Sequence, residues 1–229
     1  MRPASCGIVL AGGESRRLTG HLPPGGKLAV RLAGRTVLER VCQRLAEAVE
    51  RIIVVAAPGQ MLPVLPDAIC VVRDSRPGGG PLAGLADGLR AAAAVGPGAT
   101  APLAVAVVAG DVPLVHPALL EWLCGLLDPP SPTGEPPLWV VPRAGGHLQV
   151  LVSAVRPGLL PAVESYLASG RRDPRGLVER LMTSDPRQVI VVPEAEIAPF
   201  DPQMDSFRDL DTPEDLEWMG AFFARRGQR

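Results

Sequence analysis

The chain has 229 residues, 47% hydrophobic and 21% charged, which is length and apolar content enough for one large domain with a substantial core. A net charge of −1 without any block of like charges, and only 3% aromatic residues, argue against nucleic-acid or anionic-membrane binding and against base-stacking platforms. No apolar run reaches the roughly 18 residues of a membrane span, and Glu14, Arg16 and Arg17 interrupt any signal-peptide pattern, so a cytoplasmic protein is expected.

In chain order, Cys6–Leu10 is predicted as a buried strand running straight into Ala11-Gly12-Gly13. Glycines directly after a strand let backbone amides approach an anion, and Arg16 and Arg17 add guanidinium donors a turn later. The spacing fits neither a GxGxxG nor a GxxxxGK[ST] loop. The loop then closes on Lys27, the single lysine beside 22 arginines. A compact ammonium suits one phosphate oxygen in a tight pocket, where a planar fork lacks room. Thr36–Val49 carries apolar residues at helical spacing, with Gly34 and Thr36 as helix-start chemistry.

Arg51–Ala57 and Ala68–Arg73 are predicted as the second and third strands, followed by a helix over Pro81–Ala94. Between them lies Arg73-Asp74-Ser75-Arg76-Pro77-Gly78-Gly79-Gly80, a backbone suited to close contact with a ligand or to a mobile flap. Asp74 there offers a carboxylate able to accept from the ring N–H and exocyclic amine of guanine. Leu103–Ala109 is the most clearly buried strand and ends in Gly110-Asp111-Val112-Pro113. An acid at that place needs a cation or donors. Asp111 therefore either binds magnesium bridging a nucleotide's phosphates or caps the helix that starts near His116.

The five prolines of Asp128–Pro137 mark a loop. Strands are expected at Leu138–Pro142 and Leu148–Val152, joined through Ala144-Gly145-Gly146, then helices around Leu159–Ala168 and Gly176–Met182. Val189–Val192 is the last strand and Pro213–Arg225 a closing helix capped by Thr212. Apolar strands alternating with helices indicate a mostly parallel sheet covered on both faces, an α/β three-layer sandwich in one domain over 1–229. Cys6, Cys42, Cys70 and Cys124 form no ligand pattern and are read as free thiols in a reducing compartment.

At these motifs the chain resembles the MobA-like nucleotidyltransferases. The matching residues are LAGG-x-S-R-R-L from Leu10, the later Lys27, D-S-x3-G-x-G-P-L-A-G-L from Asp74, Gly110-Asp111-Val112-Pro113 and F-x-D-L-D-T-P-E-D-L from Phe207. LAGG rather than LAAG favours the guanylyl branch, and Ala168-Ser169-Gly170-Arg171-Arg172 resembles a further family segment. The resemblance implies a Rossmann-like fold of the nucleotide-diphospho-sugar transferase type. It also implies transfer of GMP from GTP to a molybdopterin-type cofactor, with Mg2+ as cofactor and transient contact with cofactor-synthesis or acceptor proteins. By the same resemblance Leu10, Ala11, Gly12 and Gly13 line the nucleotide, Arg17 and Lys27 meet its phosphates, Asp74 holds guanine and Asp111 holds the metal.

Three departures from the family pattern bear on that reading. The loop Thr19–Gly26 is longer, with Gly26 where an acid usually precedes the lysine. The second strand ends in Ala56-Ala57-Pro58 instead of the asparagine expected at the guanine site. Asp209 and Asp211 replace two amides before Thr212, where the alternatives are metal affinity, a different acceptor, or a helix cap by Asp211 or Thr212. His147 is a candidate for the acceptor pocket, and His116 is read as a helix start. A related enzyme using another nucleotide or acceptor (cytidylyl or sugar-phosphate) and a non-catalytic nucleotide binder are the competing readings.

Overall fold

The computed structural model describes residues 6–13, 18, 22–94, 103–127 and 136–226. The chain begins with β1 (Cys6–Leu10), then a small hairpin of β2 (Arg31–Leu32) and β3 (Arg35–Thr36), and α1 (Val37–Ala48). β4 (Arg51–Ala56), β5 (Cys70–Arg73), α2 (Gly80–Ala93), β6 (Val105–Ala109) and α3 (Pro117–Gly125) complete the first half. The second half holds β7 (Trp139–Ala144), β8 (His147–Leu148), β9 (Val152–Val155), α4 (Leu160–Ala168) and α5 (Pro174–Ser184). It closes with β10 (Val189–Val192), the single turn α6 (Glu194–Ile197) and α7 (Pro213–Arg226).

The main sheet runs β10-β7-β9-β6-β1-β4-β5, with β8 added on β7. β1 pairs in parallel with β4 on one side and β6 on the other, so the chain winds outward to β5 and returns across β1. That reversal is a topological switch point, which leaves a crevice beyond the carboxyl ends of β1, β4 and β6. β9 runs antiparallel to both β6 and β7, and the short β8 runs antiparallel to β7. The expected strand at Leu148–Val152 is corrected accordingly. Bonds from Gln149 N to Pro142 O and from Val152 N to Gln149 O close a turn there, dividing that apolar run into β8 and β9.

Alternation along each strand sorts side chains onto two faces. Val9, Val54 and Val108 pack with Leu38, Val41 and Leu45 of α1, Leu120 of α3 and Met219 and Phe223 of α7. Ile8, Leu10, Ile53, Val55 and Val107 pack with Leu82, Leu85 and Leu89 of α2, Val163 and Tyr166 of α4 and Leu177 of α5. The expected three-layer α/β arrangement is therefore present. α1 starts on a reciprocal cap: Glu39 N donates to Thr36 Oγ1 and Thr36 N donates to a Glu39 carboxylate oxygen. Cys6 and Cys42 sit in the core, and burial, helped by the Glu39 charge, pushes the Cys42 thiol up to about 12. The expected proline loop at 128–137 falls almost entirely outside the described residues.

Candidate active site

The crevice is a cleft of about 920 Å³. Its floor is built where β1 and β6 end side by side. Gly110 N donates to Leu10 O at 2.9 Å, and a Cβ on Gly110 would lie 3.2 Å from both that oxygen and Ala11 Cα. A side chain there would have to push the two strand exits apart by a few tenths of an ångström. Ala11 N is in turn held by Val55 O at 2.8 Å, so Ala11-Gly12-Gly13 leaves the sheet at a fixed angle.

Lys27 reaches the cleft on a short 3-10 turn, Gly26–Ala29, whose Leu28 is buried beneath it. Gly25 and Gly26 precede the amine with φ of 99° and 69°, values that a side chain at either place would resist. The Lys27 ammonium stands 2.5 Å from an Asp111 oxygen and 2.6 Å from one of Asp211. Their side chains are 13%, 16% and 31% exposed, so this group of charges is largely withdrawn from water. Burial alone would pull the Lys27 pKa down; the two carboxylates outweigh it and hold it above the ordinary lysine value.

Asp209 joins the group: ligand oxygens of Asp111, Asp209 and Asp211 lie within 4.8 Å of one another. Partial withdrawal from water, together with the Asp111 and Asp211 charges, raises the Asp209 carboxyl above its ordinary pKa. The C-terminal segment is brought here by Leu210, whose N–H donates to Asp111 O at 3.0 Å and whose side chain is fully buried. Thr212 takes the cap of α7, accepting from Asp215 N at 3.2 Å, while Asp211 faces Lys27. A capping role for Asp211 is thereby set aside. So is one for Asp111, because α3 begins at Pro117 with His116, five residues beyond Asp111, at its cap position, and the His116 N–H donates to Ser206 Oγ.

The opposite wall comes from β4, β5 and the start of α2. Asp74 N donates to Ala56 O, and one Asp74 oxygen accepts from Arg76 N at 2.8 Å, closing a tight turn of its own loop. Beneath it, Asp87 of α2, only 7% exposed, accepts from Ser75 N at 2.7 Å and from Ser75 Oγ at 2.9 Å. Arg172 donates to Gly78 O at 2.8 Å, tying the triple-glycine loop to the turn between α4 and α5. Gln60 bridges the exits of β1 and β4: its Nε2 donates to Ala11 O and its Oε1 accepts from Ala57 N, both at 2.9 Å.

Leu10, Ala11, Gly12, Gly13, Lys27, Asp74 and Asp111 all line this one cleft. Arg17, also expected here, lies outside the described residues, as do Arg16 and His21. His147 sits exposed on β8 and is not among the residues lining the cleft. Gln60, Asp87 and the structural tie made by Arg172 were not anticipated. Asp87 carried one signal, a lone acid inside an alanine-rich helix; Gln60 carried none, since a loop carboxamide has no periodicity to betray it.

The family model of the MobA-like NTP transferase domain matches residues 7–193. A Mycobacterium avium protein named a probable molybdenum cofactor guanylyltransferase is 38% identical over 191 residues, covering 82% of this chain and 86% of that one. The crystal structure of molybdopterin-guanine dinucleotide biosynthesis protein A from Archaeoglobus fulgidus superposes with a TM-score of 0.71 at 21% identity, covering 96% and 99% of the two chains. A 4-diphosphocytidyl-2C-methyl-D-erythritol synthase from Anaerococcus prevotii has the same fold, with a TM-score of 0.65 at 17% identity over 97% of each chain. With the family match spanning most of its length and the glycine loop, lysine and strand-end aspartate converging in one crevice, this chain belongs to the MobA-like nucleotidyltransferases.

Proposed function

We propose that the protein is a magnesium-dependent guanylyltransferase that moves GMP from GTP to the terminal phosphate of molybdopterin carrying molybdenum. The observation that carries this reading is the meeting of Lys27 and Asp111 at 2.5 Å in the cleft that the glycine loop also lines. The names of the mycobacterial relatives support the guanylyl and molybdenum-cofactor parts of it. We further propose that the whole chain acts as one domain, in the cytoplasm; among the described residues no helix is long and apolar enough to cross a membrane.

In this reaction an acceptor phosphate oxygen attacks the α-phosphorus of GTP, and the bond from that phosphorus to the bridging oxygen of the β-phosphate breaks. Pyrophosphate leaves with the electron pair, and nothing is oxidised or reduced. Little covalent help is needed from the protein; positioning and charge neutralisation do the chemistry. Gly12 and Gly13 would let backbone approach the phosphates, while Lys27, with Arg17, would neutralise charge growing on the departing pyrophosphate. Asp74 would hold guanine through its ring N–H and amine.

The acids grouped at Asp111 fit a hard divalent cation: Asp111, Asp209 and Asp211 offer only oxygen, close together, and three carboxylates exceed the single charge of Lys27. Magnesium held there would supply positive charge to the triphosphate oxygens and align them. Lys27 would then share its amine between the carboxylates and the phosphates.

A second reading, a cytidylyl enzyme of the same fold, is favoured by Ala57 standing at the second strand's end where the family's asparagine is expected. Pyrophosphate release from GTP, CTP, ATP and UTP, with magnesium and a molybdopterin acceptor, separates the two. Release with GTP is the expected result; release with CTP alone rejects the guanylyl assignment. Binding of GTP by calorimetry without any turnover would instead mark a non-catalytic nucleotide binder.

A further inference from the structure

A primary carboxamide has two N–H donors and an oxygen with two lone pairs. Gln60 spends one of each inside the protein, on Ala11 O and Ala57 N. These partners settle which end is oxygen, because an N–H only donates and a carbonyl only accepts. The backbone is held too: Arg73 Nη1 donates to Gln60 O at 2.9 Å and Ala57 O at 3.2 Å. Yet Gln60 is part of the cleft wall, together with Gly12, Ala57 and Asp74. A second amide hydrogen is thus held beside the cleft by a side chain that cannot turn without breaking two bonds.

Ala57 and Pro58 bring no side-chain donor to this wall, whereas Asp74 brings only acceptors. A donor and an acceptor lining one cleft could together read a base edge with polarity. The hydrogen-bonding edge of guanine runs acceptor, donor, donor, through its six-position oxygen, ring N–H and two-position amine. Adenine has a donor at six and an acceptor at its ring nitrogen, opposing both groups, and cytosine has a donor and two acceptors. We infer that Gln60 is a specificity-determining residue that donates its second Nε2 hydrogen to the six-position oxygen of guanine while Asp74 accepts from the other two positions. This inference rests on the guanylyl reading and names the group that completes it.

The test is calorimetric titration of the full chain, wild type, Gln60→Ala and Gln60→Glu, with the magnesium complexes of GTP, ATP, CTP and 2-aminopurine riboside triphosphate. The last compound keeps the amine but lacks the oxygen and, with it, the ring N–H. Gln60→Ala is expected to lose about tenfold in GTP affinity, one hydrogen bond's worth, and less than about twofold for the 2-aminopurine analogue. Gln60→Glu, which keeps the length and the acceptor for Ala57 N but loses the donor to Ala11 O, is expected to lower the GTP-to-ATP preference further, since no donor then faces the oxygen. Unchanged thermal unfolding of at least one variant certifies its fold. A folded variant that retains the wild-type GTP-to-ATP ratio overturns the inference and leaves the guanylyl reading standing. Equal losses on all four nucleotides also overturn it, reducing Gln60 to a strut. A wild type that prefers CTP overturns the guanylyl reading and this inference with it.

Discussion

Lys27 shows how much a single residue type can disclose. In a chain that places arginine at every other cationic position, its amine meets both Asp111 and Asp211. Lys27→Ala and Asp111→Ala are both expected to lower turnover by about two to three orders of magnitude with the fold retained, measured as pyrophosphate release per enzyme beside thermal unfolding. The raised Lys27 pKa adds a stability signature. The folded state binds this proton more tightly than the unfolded chain, so the contribution is fully present below the ordinary lysine pKa and is lost as pH rises through the higher folded value. At neutral pH, metal-free Lys27→Ala is therefore expected to be less stable by about 1–3 kcal/mol, the cost of leaving crowded carboxylates without their cation. Added magnesium should recover part of that loss in a thermal melt. Lys27 and Asp111 were legible because each closes a local pattern. Asp209 and Asp211 were visible as residues but not as partners, since their meeting with Lys27 depends on Leu210 pairing with Asp111 across the fold.

Secondary-structure elements were recoverable where burial on both faces produces an unbroken apolar run, as in β1, β4 and β6. They were misplaced where that signal is shared. Leu148–Val152 looks like one strand because apolarity says nothing of direction or of a turn inside it, and the turn depends on Gln149 bonding back to Pro142. The cleft floor makes a sharper demand on β1 and β6. Gly110→Ala would press a methyl carbon to 3.2 Å from backbone atoms of Leu10 and Ala11, which a central sheet cannot yield. A loss of about 1–3 kcal/mol in denaturant unfolding is expected, without change in the slope of the transition.

Across the whole molecule, the two layers of helices meet the cleft from opposite directions. α1, α3 and α7 support the side that carries Lys27, Asp111 and the C-terminal acids; α2, α4 and α5 support the side that carries Asp74. Arg172 links the latter layer to the lip of the cleft by its bond to Gly78 O, the only direct tie between that turn and the triple-glycine loop among the described hydrogen bonds. Arg172→Ala is expected to raise the KM for nucleotide several-fold while thermal stability stays within about 0.5 kcal/mol, because the side chain is exposed and the loop is all that it restrains. An equal fall in kcat with an unchanged KM would contradict a positioning role. Such a tie was only half legible: the arginine pair stands out in sequence, but its target is a backbone carbonyl, which has no identity there.

The family match ends at residue 193, one position after β10, yet Asp209, Asp211, Met219 and Phe223 all lie beyond it. A protein shortened to the shared region would keep its strands and its glycine turn, but would surrender two of three acids and an apolar lid over α1. The last helix thus belongs to the same packed layer as α1, and a protein trimmed to the matched region would lack two of the acids grouped around Asp111.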